Sequence, residues 1–387
     1  MLSGRITTAV LLAASTTNAQ SFFDTISTQP DLSLFTSIVQ ALNTSFSALI
    51  QDFAPTNPRT VLVPNNRAIT TYLKDNNINS IEDVGADVVV PFLSYHVLLG
   101  NLTSAVFTQP GGNIAETKLK AEEFSLLKGD AGQVVYAHKA EALDQVAQGA
   151  AVAVKSGFGN SVAVVKADVA FDEGQIHVVD GLLTLPRNCS KTIAHRGAAR
   201  LVTYIGRVGL LDALDGTPGA TCFAPSDAAI AAAAPVLMNM TNEELIDAIN
   251  FHTLLDALYT TNLTDGMTVQ TALTGKSITV NVVDGEYYFN GVRALTKNDI
   301  VRNGVSYILD GIMPIDFNGT INAVTSTSPP STSTMATSTA MSTGGASSSA
   351  SATTSAATTT GTPNAAGAIR VGGGAFAAGL VALAALV

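Results

Sequence analysis

A mixed unit of helices and strands, written twice between processed ends, is the architecture the sequence predicts. Three observations predict it. Three short segments of the first half recur in the same order in the second. Apolar residues at helical spacing precede the first segment in each half: Leu34, Phe35, Ile38, Val39 and Leu42, then Leu201, Val202, Ile205 and Val208. Finally, the composition of both termini departs from that of the middle.

The first recurring pair is Thr60–Ile69 (TVLVPNNRAI) and Thr221–Ile230 (TCFAPSDAAI). Each is a β-rich run halted at Pro, followed by Asn65-Asn66 or Ser226-Asp227, residue types that cap a helix. The second pair is Leu93–Leu99 (LSYHVLL) and Ile249–Leu255 (INFHTLL). The third is Gly174–Gly181 (GQIHVVDG) and Gly304–Gly311 (GVSYILDG), each closing in an Asp-Gly turn with a Pro beyond, Pro186 and Pro314. His96 and Asp180 are 84 residues apart, their counterparts His252 and Asp310 only 58. The first unit therefore carries about 26 extra residues, which the spacing places within 113–152. The boundary between units falls near 185–192.

These blocks resemble the fasciclin domain family. Its Ala-Pro-[Thr/Ser]-[Asn/Asp] block is matched by Ala224-Pro225-Ser226-Asp227 and by Pro64-Asn65-Asn66. Its Tyr-His block is matched by Tyr95-His96 and Phe251-His252, and its closing Asn-Gly-x-x-His-x-x-Asp block by Gly174, His177 and Asp180 and by Asn303-Gly304 and Asp310. The departures are Val63 for Ala, Glu173 for Asn, Phe251 for Tyr and Tyr307 for His. The resemblance covers about residues 21–317. It implies an α+β fold: two tandem fasciclin domains, 20–187 and 188–317, each a wedge-like β-sandwich with packed helices. It also implies cell adhesion or matrix contact without catalysis.

Residues 1–19 read as a secretory signal, with Arg5 ahead of a short apolar core (Thr7–Ala14) and small residues near a cut before Gln20. At the other end, Ala375–Val387 is a 13-residue apolar tail, too short to span a bilayer comfortably. It follows an eight-residue spacer and the small triplet Asn364-Ala365-Ala366, the pattern of a glycosylphosphatidylinositol (GPI) attachment signal. Asn364 is the favoured attachment residue, Gly361 the second choice, and 365–387 the propeptide. Between them, 325–363 holds 39 residues without a charge, 24 of them Ser or Thr, too polar to bury a core. It reads as a disordered O-glycosylated stalk, or a plain linker, spanning about 120 Å if extended. Six triplets can accept N-glycans, at Asn43, Asn101, Asn188, Asn239, Asn262 and Asn318.

Charge and composition exclude several functions. The chain has 20 Lys and Arg against 30 Asp and Glu, for a net charge of −10, which disfavours nucleic acid as a partner. Two cysteines cannot build a four-thiolate zinc site or a disulfide-dense scaffold. No Trp and 6% aromatics leave little for an aromatic-lined sugar cleft. Export favours a Cys189–Cys222 disulfide, two buried thiols being the alternative.

No Gly-x-Ser-x-Gly elbow occurs, and Gly275-Lys276-Ser277 lacks the upstream glycine of a phosphate loop because position 270 is Gln. His96 and His252 invite a metal or catalytic reading, but apolar neighbours favour buried imidazoles that bond backbone. His177 is replaced by Tyr307, and His138 and His195 have no counterparts, so no metal set recurs. Asp168 and Asp299, shortly before Gly174 and Gly304, suit a turn or cap. The resemblance also implies a receptor-binding role for Asp299-Ile300, for Asp168-Val169 and for the Tyr95-His96 and Phe251-His252 segments. Lys128-Gly129-Asp130 mimics an integrin tripeptide.

The function expected is a non-catalytic, GPI-anchored adhesion or wall-matrix glycoprotein on the outer face of the plasma membrane or in the cell wall. It would bind polysaccharide, glycoprotein or a second copy of itself through shallow faces, with no cofactor and no metal. The alternatives are a structural wall or vacuolar luminal glycoprotein without an adhesive partner, and an enzyme of unknown chemistry.

Overall fold

The computed structural model describes residues 20–79 and 84–317. The segments expected to be signal, stalk and anchor, with Asn318 and Asn364, lie outside the described residues. Unit one opens with helices Phe22–Ser27, Ser33–Ala41 and Asn43–Ile50. Strand β1 (Arg59–Pro64) leads into helix Asn66–Asp75, and helix Ala86–Tyr95 into β2 (Val97–Leu99). Then come β3 (Asn113–Glu116), β4 (Val134–Lys139), β5 (Val152–Lys155), β6 (Ser161–Phe171) and β7 (Gly174–Val179). They form one sheet in the order β2-β1-β7-β6-β5-β4-β3, with β1 and β7 parallel and the other pairs antiparallel.

After Pro64, Asn65 N makes the last bond to β7, donating to Val179 O at 3.0 Å, and its side chain then caps a helix. Asn65 Oδ1 accepts from Ala68 N at 2.8 Å and starts the following helix, as Ser226 Oγ does from Ala229 N at 3.2 Å in unit two. β1 is buried along its whole length. Val61 and Val63, with Ile176 and Val178 of β7, pack on Phe35, Ile38 and Leu93 of the helices. Leu62 and Val179 face the other way, against Val135 and Val154. The sheet thus folds over on itself, with a sandwich core on one side and a helical layer on the other. The bend is in β6, whose register shifts between Val164 and Lys166 and again before Val169.

Unit two repeats the plan with β8 (Ala220–Pro225), β9 (Thr253–Leu254), β10 (Thr268–Gln270), β11 (Ser277–Val283), β12 (Glu286–Phe289), β13 (Val292–Arg293), β14 (Asp299–Val301) and β15 (Gly304–Leu309). Where β6 bends, this unit breaks. Its counterparts β13 and β14 belong to separate sheets, β10-β11-β12-β13 and β14-β15-β8-β9. Helices Ala199–Arg207, Asp227–Leu237 and Asn242–Phe251 cover it.

The glycine of the closing block has a steric reason. Gly174 pairs with Arg59 and Gly304 with Ala220 in the parallel β1–β7 and β8–β15 ladders, at φ +156° and +143°. A Cβ there would lie 1.8 Å from Arg59 O and 1.9 Å from Ala220 O. No side chain fits at that distance.

The extra length of unit one lies in its hairpin connections. Residues 117–133 join β3 to β4, where 271–276 suffice in unit two, and 140–151 join β4 to β5, against 284–285. The longer β3–β4 connection is the seam between the units. Leu126 N donates to Arg302 O at 2.7 Å, and Gly219 N to Leu126 O at 3.2 Å. Gln133, fully buried, donates from Nε2 to Phe124 O and to Val301 O and Arg302 O. Val134 and Tyr136 pack on Ile300.

Candidate functional site

The recurring residues come first, because their surroundings decide whether they are free to act. His96 and His252 follow the last turns of helices Ala86–Tyr95 and Asn242–Phe251. Nδ1 of each bonds the carbonyl four residues back, Phe92 O at 2.7 Å and Ala248 O at 2.8 Å. Nε2 of each accepts a backbone N–H from the segment after the last strand, Leu183 at 3.2 Å and Met313 at 2.9 Å. They are 3% and 7% exposed. Burial pulls both pKa values down to about 4 against the opposing bond to the helix carbonyl, so both are neutral at physiological pH. Their neighbours Tyr95 and Phe251 are fully buried, with Tyr95 Oη donating to Val134 O at 2.9 Å. These four residues clamp helix to strand and present nothing to a partner.

Two further pairs of the aligned blocks are bonded alike, which the sequence did not show. Thr60 Oγ1 donates to Gly100 O and accepts from Leu102 N, and Thr221 Oγ1 does the same with Asp256 O and Leu258 N. His177 and Tyr307 are structural equivalents despite their chemistry. His177 Nε2 donates to Leu102 O at 2.8 Å, and Tyr307 Oη lies 2.6 Å from Leu258 O. Both sit at the same register of the closing block, as the sequence alignment expects.

Asp168 and Asp299 are not counterparts, which corrects the pairing drawn from sequence. The residue six before Gly304 is Asn298, and it shares with Asp168 a left-handed backbone, at φ +51° and +57°. Both cap the same turn. Asp168 takes Ser104 N at 2.8 Å and the Ser104 hydroxyl, and Asn298 Oδ1 takes Thr260 N at 3.0 Å. Partial burial raises the Asp168 carboxyl, but the Ser104 bonds outweigh it and hold the pKa below the ordinary carboxylate range. Asp168 is exposed and Asp299 is 0% exposed. Asp299 is held by Thr296 Oγ1 at 2.6 Å, Arg196 Nε at 3.3 Å and, from unit one, Lys155 Nζ at 3.7 Å. Ile300 is equally buried. A receptor cannot reach that pair; it joins the units. Lys128 of the integrin-like tripeptide is also engaged there, with Leu255 O and Asp256.

The junction holds what the sequence did not foresee, a cleft of about 820 Å³. One wall is helix Asn66–Asp75, through Thr71 and Tyr72. The floor is the segment after β7, Leu182–Leu185, with Phe158 from the β5–β6 turn. The opposite wall is the start of unit two, Arg187 to His195. The lining draws on both units, so no single block encodes the space. Phe158 has φ +58°, a conformation that bulky side chains rarely adopt, and its ring meets His195 edge-on at 5.1 Å. Ser190 Oγ is committed to Asp215 at 2.6 Å, and the Asp180 carboxylate to Ala163 N at 2.7 Å. Among the described residues, no group of three or more His, Cys, Asp or Glu is placed to hold a metal ion.

Comparison with known proteins decides the family. The fasciclin domain model matches residues 33–186 and again 197–315. The chain belongs to the fasciclin domain family. It is 26% identical over 308 residues to a fasciclin-like arabinogalactan protein of Phaeosphaeria nodorum, covering 79% of this chain and 92% of that one. A fasciclin-like arabinogalactan protein of Arthroderma benhamiae is 25% identical over 327 residues, covering 83% and 72%. Its Cercospora beticola counterpart is 28% identical over 163 residues, 42% of this chain, and the match spans only 44% of that protein. Among solved structures, the FAS1 domain pair of the insect cell adhesion molecule fasciclin I aligns with 73% of this chain and 97% of its own at 16% identity, with a TM-score of 0.33.

Within the second fasciclin domain, Cys189 and Cys222 are buried free thiols, not the expected disulfide. The hydrogen bond between them and then burial push the Cys189 thiol well up, which suppresses the thiolate that exchange requires. Of the glycan acceptors, Asn101, Asn239 and Asn262 are exposed on the fasciclin pair and Asn188 is half-buried. Asn43 begins a helix.

Proposed function

We propose that this fasciclin pair is the head of a non-catalytic cell-surface glycoprotein, held to the outer leaflet by a GPI anchor and raised on a glycosylated stalk, which makes adhesive contacts with wall or matrix polysaccharide and glycoprotein, or with a second copy of itself. The observation that carries it is the spending of the recurring polar residues on scaffold. His96, His252, Thr60 and Thr221 are all consumed by internal bonds, which supports recognition by the exterior. The names of the fungal relatives support a carbohydrate-bearing surface protein. The terminal patterns at 1–19 and 364–387 support export and anchoring. The two domains meet through the enlarged β3–β4 connection and offer paired faces, so a second contact becomes intramolecular and gains avidity.

Phosphatidylinositol-specific phospholipase C should release the protein from intact cells, and beads coated with the purified protein should aggregate or bind wall fragments. Retention on the membrane after treatment rejects the anchor. Release without bead binding to wall, membrane or itself rejects adhesion in favour of a structural wall component.

A further inference from the structure

The junction cleft has the size and place of a ligand site. Small-molecule pockets run from about 300 to 1,000 Å³ and favour domain interfaces, with apolar walls and a few polar groups that orient the ligand. This one is about 820 Å³, and Phe92, Phe158, Leu182, Leu185 and Val202 supply apolar surface.

Its cations come from one segment. Residues 187–207 hold five of the chain's 20 Lys and Arg and no acid, in a sequence with 30 Asp and Glu. Two of those cations, Arg187 and Lys191, line the cleft. Arg196 is taken by Asp299, whereas the Arg187 guanidinium lies 5.8 Å over the Phe124 ring, and among the described residues neither Arg187 nor exposed Lys191 has an ion-pair partner. The cleft also carries two carboxylates, Asp75 and Asp180; Asp180 Oδ1 accepts from Ala163 N, and among the described residues neither acid forms an ion pair with Arg187 or Lys191. The backbone at Phe158 adds a third observation. A turn with φ +58° and +68° at Phe158-Gly159 favours Asn-Gly, yet an aromatic ring stands on the cleft floor. Strain of this kind persists where surroundings or function hold it.

We infer that the cleft between the two fasciclin domains binds a small amphipathic organic anion, its apolar body between Phe92, Phe158 and Leu182 and its acidic group toward Arg187 and Lys191. This site is separate from the adhesive exterior, and its failure would leave bead aggregation untouched.

The test is fluorescence titration of the intact purified protein with 8-anilinonaphthalene-1-sulfonate and with the uncharged N-phenyl-1-naphthylamine. Both should bind saturably, one per chain. Lys191→Glu, at an exposed site that leaves the melting temperature unchanged, should weaken the sulfonate about tenfold, equivalent to about 1.4 kcal/mol, and the neutral dye less than about twofold. Thr71→Trp, which projects bulk from the helical wall, should weaken both. Oleate or 4-biphenylcarboxylate should displace the sulfonate. Absence of saturable binding, equal effects of Lys191→Glu on both dyes, or no displacement by either acid would overturn the proposal. Should Thr71→Trp fail to fold, the two-dye comparison on Lys191→Glu still decides.

Discussion

At the scale of the residue, His96 and His252 tie stability to pH. In the folded chain each is neutral, with a pKa near 4 against an ordinary 6.5. Between those values the unfolded chain binds protons that the native state refuses, so stability falls as pH falls. The contribution is intact above about pH 6.5 and exhausted near pH 4. Each histidine should cost about 2 kcal/mol at pH 5 relative to pH 7.5. Urea unfolding at the two pH values should show it, and His252→Asn should remove about half of the slope. A pH-independent midpoint between 7.5 and 5 would contradict the buried neutral imidazoles. The paired glycines give a steric counterpart. Gly304→Ala places a methyl 1.9 Å from Ala220 O and should cost about 3 kcal/mol in thermal denaturation.

Among the elements, the turn before the closing strand and the β3–β4 connection do different work. Asp168→Ala removes an exposed cap from the turn at Ser104 and should cost about 1 kcal/mol. Asp299→Ala strips the counter-ion from Lys155 and Arg196 in a buried seam and should cost about 3 kcal/mol or more. Equal losses in calorimetry would mean the two aspartates are equivalent after all. Gln133→Ala deletes a fully buried amide whose Nε2 donates to Phe124 O in its own unit and to Val301 O and Arg302 O across the seam. A loss of about 2 kcal/mol is expected, with limited proteolysis cutting near 185–192 as the units loosen. Unchanged protease resistance would show that the seam does not depend on it.

For the whole molecule, the contrast is between a shared plan and an unshared junction. Both units build the same parallel pair, β1–β7 and β8–β15, and the same histidine clamp, so a mutation at one finds its twin at the other. The junction has no twin. It uses the excess length of unit one, the basic segment after Pro186 and the buried, ion-paired Asp299. Among the described residues no single helix is long and apolar enough to cross a membrane. Phospholipase release is the prediction that belongs to this scale.

The amino-acid order alone determined the duplication, the strand-Pro-cap-helix step at Pro64 and Pro225, the burial of the histidines and the region of the extra residues. These are local facts, fixed by periodicity, capping and turn chemistry within a few positions. It misaligned Asp168 with Asp299, because one residue of offset is invisible until Asn298 is seen to share the left-handed turn. It favoured a disulfide over the two buried thiols that the structure holds, and it did not reveal the cleft. Those outcomes depend on groups far apart in the chain, Lys155 with Asp299 and Phe158 with His195, which only packing of one unit on the other brings together.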